Sequence, residues 1–393
     1  MRFRRYESQR RDVQGCSPLS EVSPPIVGID ARAAAEVPAG RGRVVRELLR
    51  ALAAREDDGH RYILYAREAW DGAELDERFQ WRLIGARDPW WHLSAARAAN
   101  HECSVFLSSN SYLTICFLRI PAVPIVYDLT TFAPSMRPKR RSTLIERATL
   151  GIAMRRSTAV LAISRATADT LIERFHAAAG KTVVAVLGVA PTLDDGVQAA
   201  EAAELPPPGF VLAVGTLEPR KNLPRLVAAY SSLEAGMQAR HPLVVVGELG
   251  WQAGETLSAL RSLDGNCRML GYVSDAALAE LYRRCYVFCY PSLGEGFGLP
   301  VLEAMASGAA VVTSEISSLP EVGGDAVEYV DPYRVASIAG GLWRVLSDEP
   351  HRAELARRAR ARAEEFSWER FAKIALETLD DAAAGRAIRP ADA

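Results

Sequence analysis

Residues 286–303 read YVFCYPSLGEGFGLPVLE. A short apolar run leads into a glycine-rich loop, and Pro300 follows where the first turn of a helix favours proline. This strand–loop–helix pattern is typical of parallel α/β sheets, in which ligands bind at the carboxyl ends of the strands. The unpaired N–H groups at the start of such a helix favour an anion or a hydroxyl group. The stretch therefore predicts both the fold class and a binding site.

Two carboxylates flank the start of this predicted helix. Glu295 lies in the loop, and Glu303 lies about one turn into the helix, where side chains lean back toward the N-terminus. We expect both to stay ionised beside the positive helix end and to accept hydrogen bonds from hydroxyl groups. That chemistry suits a sugar or a ribose. The alternative is an ordinary helix start with two solvated acids.

A second stretch, VGTLEPRKN at 214–222, carries two adjacent cations after a predicted strand. Arg220 can donate to two phosphate oxygens at once, and Lys221 adds a compact charge. Because both follow the end of a strand, we predict that they bind an anion. The alternative is a solvated basic turn.

Outward from these motifs, short apolar runs alternate with amphipathic segments along the chain, which predicts parallel sheets covered by helices. A shift in composition at 191–209, including three successive prolines, indicates a linker. We predict an N-terminal domain at 25–190 and a C-terminal domain at 210–365, both doubly wound and Rossmann-like, facing each other across a cleft. Residues 1–24 would be a disordered basic leader, 366–384 a helix that returns to the N-terminal domain, and 385–393 a tail. The predicted strands lie at 25–29, 61–65, 80–84, 103–107, 123–127, 159–163, 182–186, 210–214, 243–246, 268–270, 286–290 and 310–313.

Composition excludes several other classes of protein. The 393 residues are 49% hydrophobic and 24% charged, as in ordinary globular proteins, and the net charge of −1 gives no overall attraction to nucleic acid. The six cysteines form no CxxC pair, the six histidines form no metal-binding pair, and no Asp-x-Asp occurs. No apolar run reaches the roughly 20 residues of a membrane span, and the N-terminus lacks the apolar region of a signal peptide. We expect a cytoplasmic protein with reduced thiols and no bound metal.

Taken together, the motifs resemble those of the retaining glycosyltransferases of family 4, which have the GT-B fold of two Rossmann-like domains. The resemblance rests on EGFGLPxxE at 295–303, GTxxxRKN at 215–222, GYVxD at 271–275 and FSWERF at 366–371. The N-terminal half matches more loosely, through GIDAR at 28–32, GRGR at 40–43 and IVYDL at 125–129. The resemblance covers 25–382.

The resemblance implies a role for each matching position. Arg220 and Lys221 would neutralise the departing nucleoside diphosphate, and Asp128 would line the reaction cleft. The donor sugar would be held by Glu295 and the following backbone, the ribose by Glu303, and the base by the backbone of Tyr272 and Val273. The remaining donor-binding positions are Gly40, Gly42, Tyr127, Thr216, Gly296, Phe297, Gly298 and Leu299. Family members commonly have His where this chain has Tyr127, so a 6-deoxy sugar becomes admissible as donor.

The resemblance thus implies an enzyme that transfers a hexose, mannose-like or 6-deoxy, from a nucleotide sugar such as GDP-mannose to a glycan or a lipid-linked acceptor. We expect retention of configuration, no cofactor, no metal and no nucleic-acid partner, with a role in cell-surface polysaccharide or lipopolysaccharide assembly. Two alternatives remain: a catalytically silent scaffold with the same fold, and a sugar-nucleotide epimerase or phosphorylase. An assay for nucleotide released from a nucleotide sugar separates them.

The segment 137–156 mixes seven Arg and Lys residues with apolar ones and a single acid, Glu146. A helix with one basic and one apolar face can rest on an anionic membrane, here the inner face of the cell membrane. The alternative is an ordinary domain helix whose apolar side packs inward.

Overall fold

The computed structural model describes residues 25–38, 40–56, 59–129, 132, 140–189, 205–263 and 265–389, with only the backbone given for 140–146. The predicted leader at 1–24 lies outside the described residues, as do 191–204 of the predicted linker and 390–393 of the predicted tail.

The N-terminal part of the described chain forms a seven-stranded sheet in the order β3-β2-β1-β4-β5-β6-β7, and its neighbouring strands pair in parallel. Its strands are β1 (Ile26–Asp30), β2 (Arg61–Ala66), β3 (Phe79–Leu83), β4 (Val105–Ser108), β5 (Ala122–Val126), β6 (Val160–Ala162) and β7 (Thr182–Val184). Its helices are α1 (Arg32–Glu36), α2 (Arg41–Ala53), α3 (Trp90–Glu102), α4 (Arg140–Arg156) and α5 (Arg165–Arg174).

Both faces of this sheet are covered, which explains the near-continuous apolar strands. Ile29 and Leu107 pack with Leu48 of α2 on one face. Phe106 and Val126, which alternate with them, pack with Trp91 of α3 on the other. The sheet is thereby fixed between two helical layers, and its strand ends remain at one edge.

The C-terminal part forms a second parallel sheet of six described strands in the order β10-β9-β8-β11-β12-β13. Its strands are β8 (Val211–Val214), β9 (Leu243–Val246), β10 (Cys267–Gly271), β11 (Val287–Tyr290), β12 (Val311–Ser314) and β13 (Glu328–Val330). The helices that follow are α6 (Leu223–Ser231), α7 (Ala235–Arg240), α8 (Gly254–Arg261), α9 (Asp275–Arg284), α10 (Leu299–Ala306), α11 (Leu319–Gly323), α12 (Val335–Ser347), α13 (Glu349–Ala363) and α14 (Trp368–Ala383).

The last helix, α14, packs against α2, β4 and β5 of the first sheet. Phe371 is fully buried there, and Phe366, just before the helix, lies against the Phe297 ring at 5.9 Å between centroids. At the same place the Val189 N–H donates to the Phe366 carbonyl at 3.3 Å. The two segments of chain on either side of the second sheet therefore lie next to each other.

The predicted fold class is confirmed: the structure has two parallel α/β sheets with the Rossmann-like arrangement. Five elements were missed, namely α1, α3, α7, α11 and β13. Strand β13 has only three residues and carries Glu328 and Tyr329, so it lacks the apolar run that marked the other strands. Ser164 caps the start of α5, since its hydroxyl accepts from the Thr167 N–H at 3.0 Å. Among the described residues, no helix is both long and apolar enough to cross a membrane.

Candidate functional site

The loop that follows β8 is hydrogen-bonded to the loop that follows β11. Asn222 takes a left-handed backbone conformation, with φ of 60°, and ends the short turn at Pro219–Lys221. Its side-chain amide donates to the Pro291 carbonyl at 2.9 Å and to the Pro332 carbonyl at 2.7 Å, and the Leu293 N–H donates to the Arg220 carbonyl at 2.8 Å. These bonds hold the two predicted motifs together at the carboxyl edge of the second sheet.

The Glu295 carboxylate lies between the two cations. Lys221 Nζ donates to Oε1 at 2.9 Å, and the Arg220 guanidinium donates to Oε2. The Tyr290 hydroxyl donates to Oε1 at 2.8 Å and the Ser292 hydroxyl at 2.7 Å. Burial disfavours the charge on Glu295, but Lys221 and Arg220 outweigh it and lower its pKa to about 2. Glu295 is therefore ionised at neutral pH.

The two cations differ in their surroundings. Burial lowers the pKa of Lys221 and outweighs the attraction of Glu295. Burial acts in the same direction on Arg220, but Glu295, Tyr290 and Glu218 raise the pKa of its guanidinium above the ordinary value. Glu218 in turn accepts from Arg220 Nη2 at 2.7 Å. The site thus holds two partly buried cations whose charge is balanced by the carboxylates of Glu295 and Glu218. The oxygens of a diphosphate could replace these carboxylates as partners of the cations.

Glu303 has a different environment from Glu295. Its Oε1 accepts from Arg43 Nη1 at 2.6 Å and its Oε2 accepts from the Tyr282 hydroxyl at 3.1 Å. Burial raises the pKa of Glu303 above its ordinary value, although Arg43 opposes the shift. The two carboxylates thus differ: at Glu295 the neighbouring cations outweigh burial, whereas at Glu303 burial outweighs Arg43. The expectation that both stay ionised remains a prediction. Arg43 belongs to α2, so this ion pair joins the two domains.

The first domain contributes the ends of β4 and β5. The Tyr127 hydroxyl donates to the Ser109 carbonyl at 2.7 Å, so it is engaged within its own domain. Asp128 is close enough to Arg220 to raise the pKa of that guanidinium. A Cβ built on Gly296 would lie 1.8 Å from the Tyr127 carbonyl oxygen and 3.0 Å from Asp128 Cβ. The structure thus brings Tyr127, Asp128 and the Glu295 loop to one place.

The start of α10 has the predicted geometry. Gly298 has φ of 111°, a left-handed conformation that favours glycine, and it precedes Leu299 at the first helical position. Phe297 is 3% exposed and packs in the core, while its carbonyl accepts from the Ser318 hydroxyl at 2.8 Å. Glu303 lies on the second turn of this helix.

Five other predicted positions differ in their surroundings. Gly40 has φ of 56° and no atom near its Cβ position, whereas a Cβ on Gly42 would lie 1.8 Å from the Val37 carbonyl oxygen. The close packing of α1 on α2 therefore already requires glycine at position 42, whether or not a ligand binds there. Thr216 is exposed after β8, and Tyr272 is 61% exposed after β10. Val273 packs partly buried against the core.

Sequence reasoning missed Tyr290, Ser292, Tyr282 and Arg43. Tyr290 and Ser292 flank Pro291. Polar groups at the end of an apolar strand could have indicated both as site residues. Arg43 lies 260 positions from Glu303. No local pattern indicates a pair so distant in the chain. Among the described residues, no three His, Cys, Asp or Glu side chains are grouped so as to hold a metal ion.

The family follows from comparison with known proteins. The model of the glycosyl transferases group 1 matches residues 198–362, and that of glycosyltransferase family 4 matches residues 38–193. The O-antigen chain mannosyltransferase B of Escherichia coli is 33% identical over 300 residues, which span 74% of this chain and 76% of that protein. The chain belongs to glycosyltransferase family 4. A second relative, the serotype-specific mannosyltransferase WbdA of E. coli, is 39% identical over 175 residues, 44% of this chain and 22% of that longer protein.

Solved structures show that the family 4 chain has the GT-B fold. The sucrose-phosphate synthase of Thermosynechococcus elongatus superimposes with a TM-score of 0.71 at 21% identity, covering 92% of this chain and 99% of that one. WaaG, a glycosyltransferase involved in lipopolysaccharide biosynthesis, gives 0.69 at 16% identity, with coverage of 90% and 99%. The Anabaena HepE protein, solved with UDP and glucose, gives 0.69 at 18%, with coverage of 91% and 99%.

Proposed function

We propose that this glycosyltransferase moves a hexose from a nucleoside diphosphate sugar to a hydroxyl group of a glycan or lipid-linked acceptor, with retention of configuration and without a metal ion. The observation that carries the proposal is the partly buried group of Arg220 and Lys221 around Glu295, beside the start of α10, which no side chain caps. Two fixed cations at a helix N-terminus suit a diphosphate, and a carboxylate among hydroxyl groups suits a sugar.

GDP-mannose is the first donor to test. Two of the most similar relatives are named mannosyltransferases, and one of them is named for the O-antigen chain. A 6-deoxyhexose is the second candidate, because the Tyr127 hydroxyl is engaged with the Ser109 carbonyl. By the same similarity, we place the activity in the assembly of a cell-surface polysaccharide.

The reaction would proceed on one face of the sugar. The bond between the anomeric carbon and the diphosphate oxygen breaks, the leaving oxygen takes the proton of the acceptor hydroxyl, and the acceptor oxygen bonds to the anomeric carbon on that face. Arg220 and Lys221 would stabilise the charge that grows on the diphosphate, and this function requires them to exchange Glu295 for the phosphate oxygens. Glu295 would then be available to the sugar hydroxyls, and Glu303 to the ribose.

The test is a panel of nucleotide sugars, GDP-mannose, UDP-glucose, a GDP-linked and a dTDP-linked 6-deoxyhexose, with released nucleoside diphosphate as the readout. We expect release from one donor, abolished in Lys221→Ala. Release from none, together with no binding of GDP or UDP, would favour the silent scaffold. An altered nucleotide sugar without released diphosphate would favour an epimerase, and release that requires inorganic phosphate would favour a phosphorylase.

A lipid-linked acceptor would require contact with the inner face of the cell membrane. In α4, Leu150 and Met154 are buried in the domain core and Ile152 is 42% exposed. The described second half of this helix therefore packs as an ordinary domain helix. Any contact with lipid would therefore involve residues 137–146, whose side chains are not among those that the structure describes. Co-sedimentation with anionic and neutral liposomes tests it: we expect salt-sensitive binding to the anionic vesicles, lost in Arg140→Glu/Arg141→Glu. Equal binding to both kinds of vesicle would contradict it.

A further inference from the structure

The second domain contacts the first turn of α5 in the first domain. The Arg165 N–H donates to Glu321 Oε2 at 2.7 Å, and the Ala166 N–H donates to Oε1 at 2.6 Å. These N–H groups have no partner within their own helix, and the positive end of the helix favours a carboxylate. Glu321 lies on α11, so a side chain of one domain satisfies the helix end of the other.

The same turn of α5 also contacts the loop that carries Glu295. The hydroxyls of Ser164 and Thr167 both donate to the Gly296 carbonyl, at 2.7 and 3.0 Å. From its own domain, this loop is held by the Ser318 hydroxyl, which lies 3.0 Å from the Glu295 carbonyl and 2.8 Å from the Phe297 carbonyl. The carbonyls of Glu295 and Phe297 are therefore held by their own domain, and the Gly296 carbonyl between them is held by the opposite domain.

Separation of the domains would break these contacts together. The Gly296 carbonyl would lose both of its partners in α5, and the first N–H groups of α5 would lose Glu321. The main chain beside Glu295 is thus held on both sides only while the domains are closed. Since Gly296 directly follows Glu295, a change in its peptide orientation moves the carboxylate relative to Arg220 and Lys221.

We propose that Thr167 and Glu321 are positioning residues that couple closure of the two domains to the placement of Glu295. They act through the Gly296 carbonyl and through α5, and neither touches the donor. The proposal rests on the proposed function insofar as Glu295 acts on the donor sugar. The coupling between closure and loop is a separate property of the chain.

Thr167→Val is the sharpest variant. It keeps the shape of a side chain that is 5% exposed, removes one donor to Gly296, and leaves Ser164 to cap α5. Thr170→Val is the matched control, since the Thr170 hydroxyl is exposed on the same helix and donates only to the Ala166 carbonyl. Thr167→Ser keeps the hydroxyl group and should therefore keep the activity of the wild-type chain.

With GDP-mannose, or the donor that the panel identifies, we expect Thr167→Val to lower kcat by about three- to tenfold, the effect of one lost hydrogen bond. Glu321→Gln, which removes a charge facing two N–H groups, should lower kcat by about tenfold or more. The dissociation constant of GDP should stay within about twofold in both, because neither Thr167 nor Glu321 is among the positions assigned to the nucleotide. Equal kcat in Thr167→Val and Thr170→Val, or a loss confined to KM, would overturn the proposal.

Small-angle scattering of the donor-free protein gives a readout that does not depend on turnover. Glu321→Gln and Thr167→Val should increase the radius of gyration, whereas Thr170→Val should not. If the wild-type chain turns over none of the nucleotide sugars, the proposed function fails, and scattering alone decides the coupling. An unchanged radius of gyration in both variants would overturn it.

Discussion

Replacing Glu295 by Gln tests the charge balance at the centre of the site. The side chain keeps its shape, but Lys221 and Arg220 lose the anion between them. The carboxyl has a pKa of about 2 in the folded chain against an ordinary value of 4.5. At 1.36 kcal/mol for each pH unit, this difference corresponds to about 3 kcal/mol of folding free energy. Because the pKa is lowered by folding, the contribution is fully present above pH 4.5 and is lost as the pH falls toward 2.

The assay is urea unfolding at pH 7 and at pH 3, followed by tryptophan fluorescence and by circular dichroism to check that the transitions coincide. We expect Glu295→Gln to lower the free energy of unfolding by about 3 kcal/mol at pH 7 and by less at pH 3. Glu354→Gln is the control. Hydrogen bonds from Arg357 and Arg358 also lower the pKa of Glu354 to about 2, but 41% of that side chain is exposed, so solvent screens the charge and no measurable loss is expected. Equal stability of both variants at pH 7 would refute the reasoning.

Three further outcomes are expected. Glu303→Gln should raise the donor KM more than it lowers kcat, because ribose contacts persist from ground state to transition state; steady-state kinetics would contradict this by showing a loss in kcat alone. Gly296→Ala should lower turnover by about tenfold or more, since its Cβ would lie 1.8 Å from the Tyr127 carbonyl oxygen, whereas Gly254→Ala, with no atom within 4 Å, should be neutral in the same assay. Activity should survive excess EDTA, because the cations of the site are side chains; a loss that Mg²⁺ or Mn²⁺ reverses would exclude the metal-free mechanism.

The sequence predicted those parts of the site that depend on neighbours in the chain. Glu295 and the start of α10 lie within one strand–loop–helix unit, so the order of apolar, glycine and proline residues was enough to place them. The ion pair of Arg220 with Glu295 was not foreseen, because each group was assigned to a ligand rather than to the other. Such a pairing depends on how far two loops approach each other, and that distance is set by packing rather than by a local pattern.

Contacts between the domains were beyond the reach of local reasoning for the same reason. Arg43 pairs with Glu303 across 260 positions, and Glu321 contacts the Arg165 N–H across 156. Neither Arg43 nor Glu321 differs in its own sequence surroundings from a solvated surface charge. The fold class was accessible because hydrophobic periodicity repeats in every element, whereas each of these contacts occurs once.

The neighbouring segments at Val189 and Phe366 limit how the two domains can move. A Cβ on Gly188 would lie 2.2 Å from the Trp368 nitrogen, so the main chains touch where they pass between the domains. Two adjacent chain segments between the domains form a hinge. They permit rotation of one domain about a single axis and resist twisting and sliding. The cleft then opens on the side away from Phe366, and under the proposed function the acceptor would approach from there. The direction of approach would then be set by the chain segments that connect the domains rather than by any residue that touches the sugar.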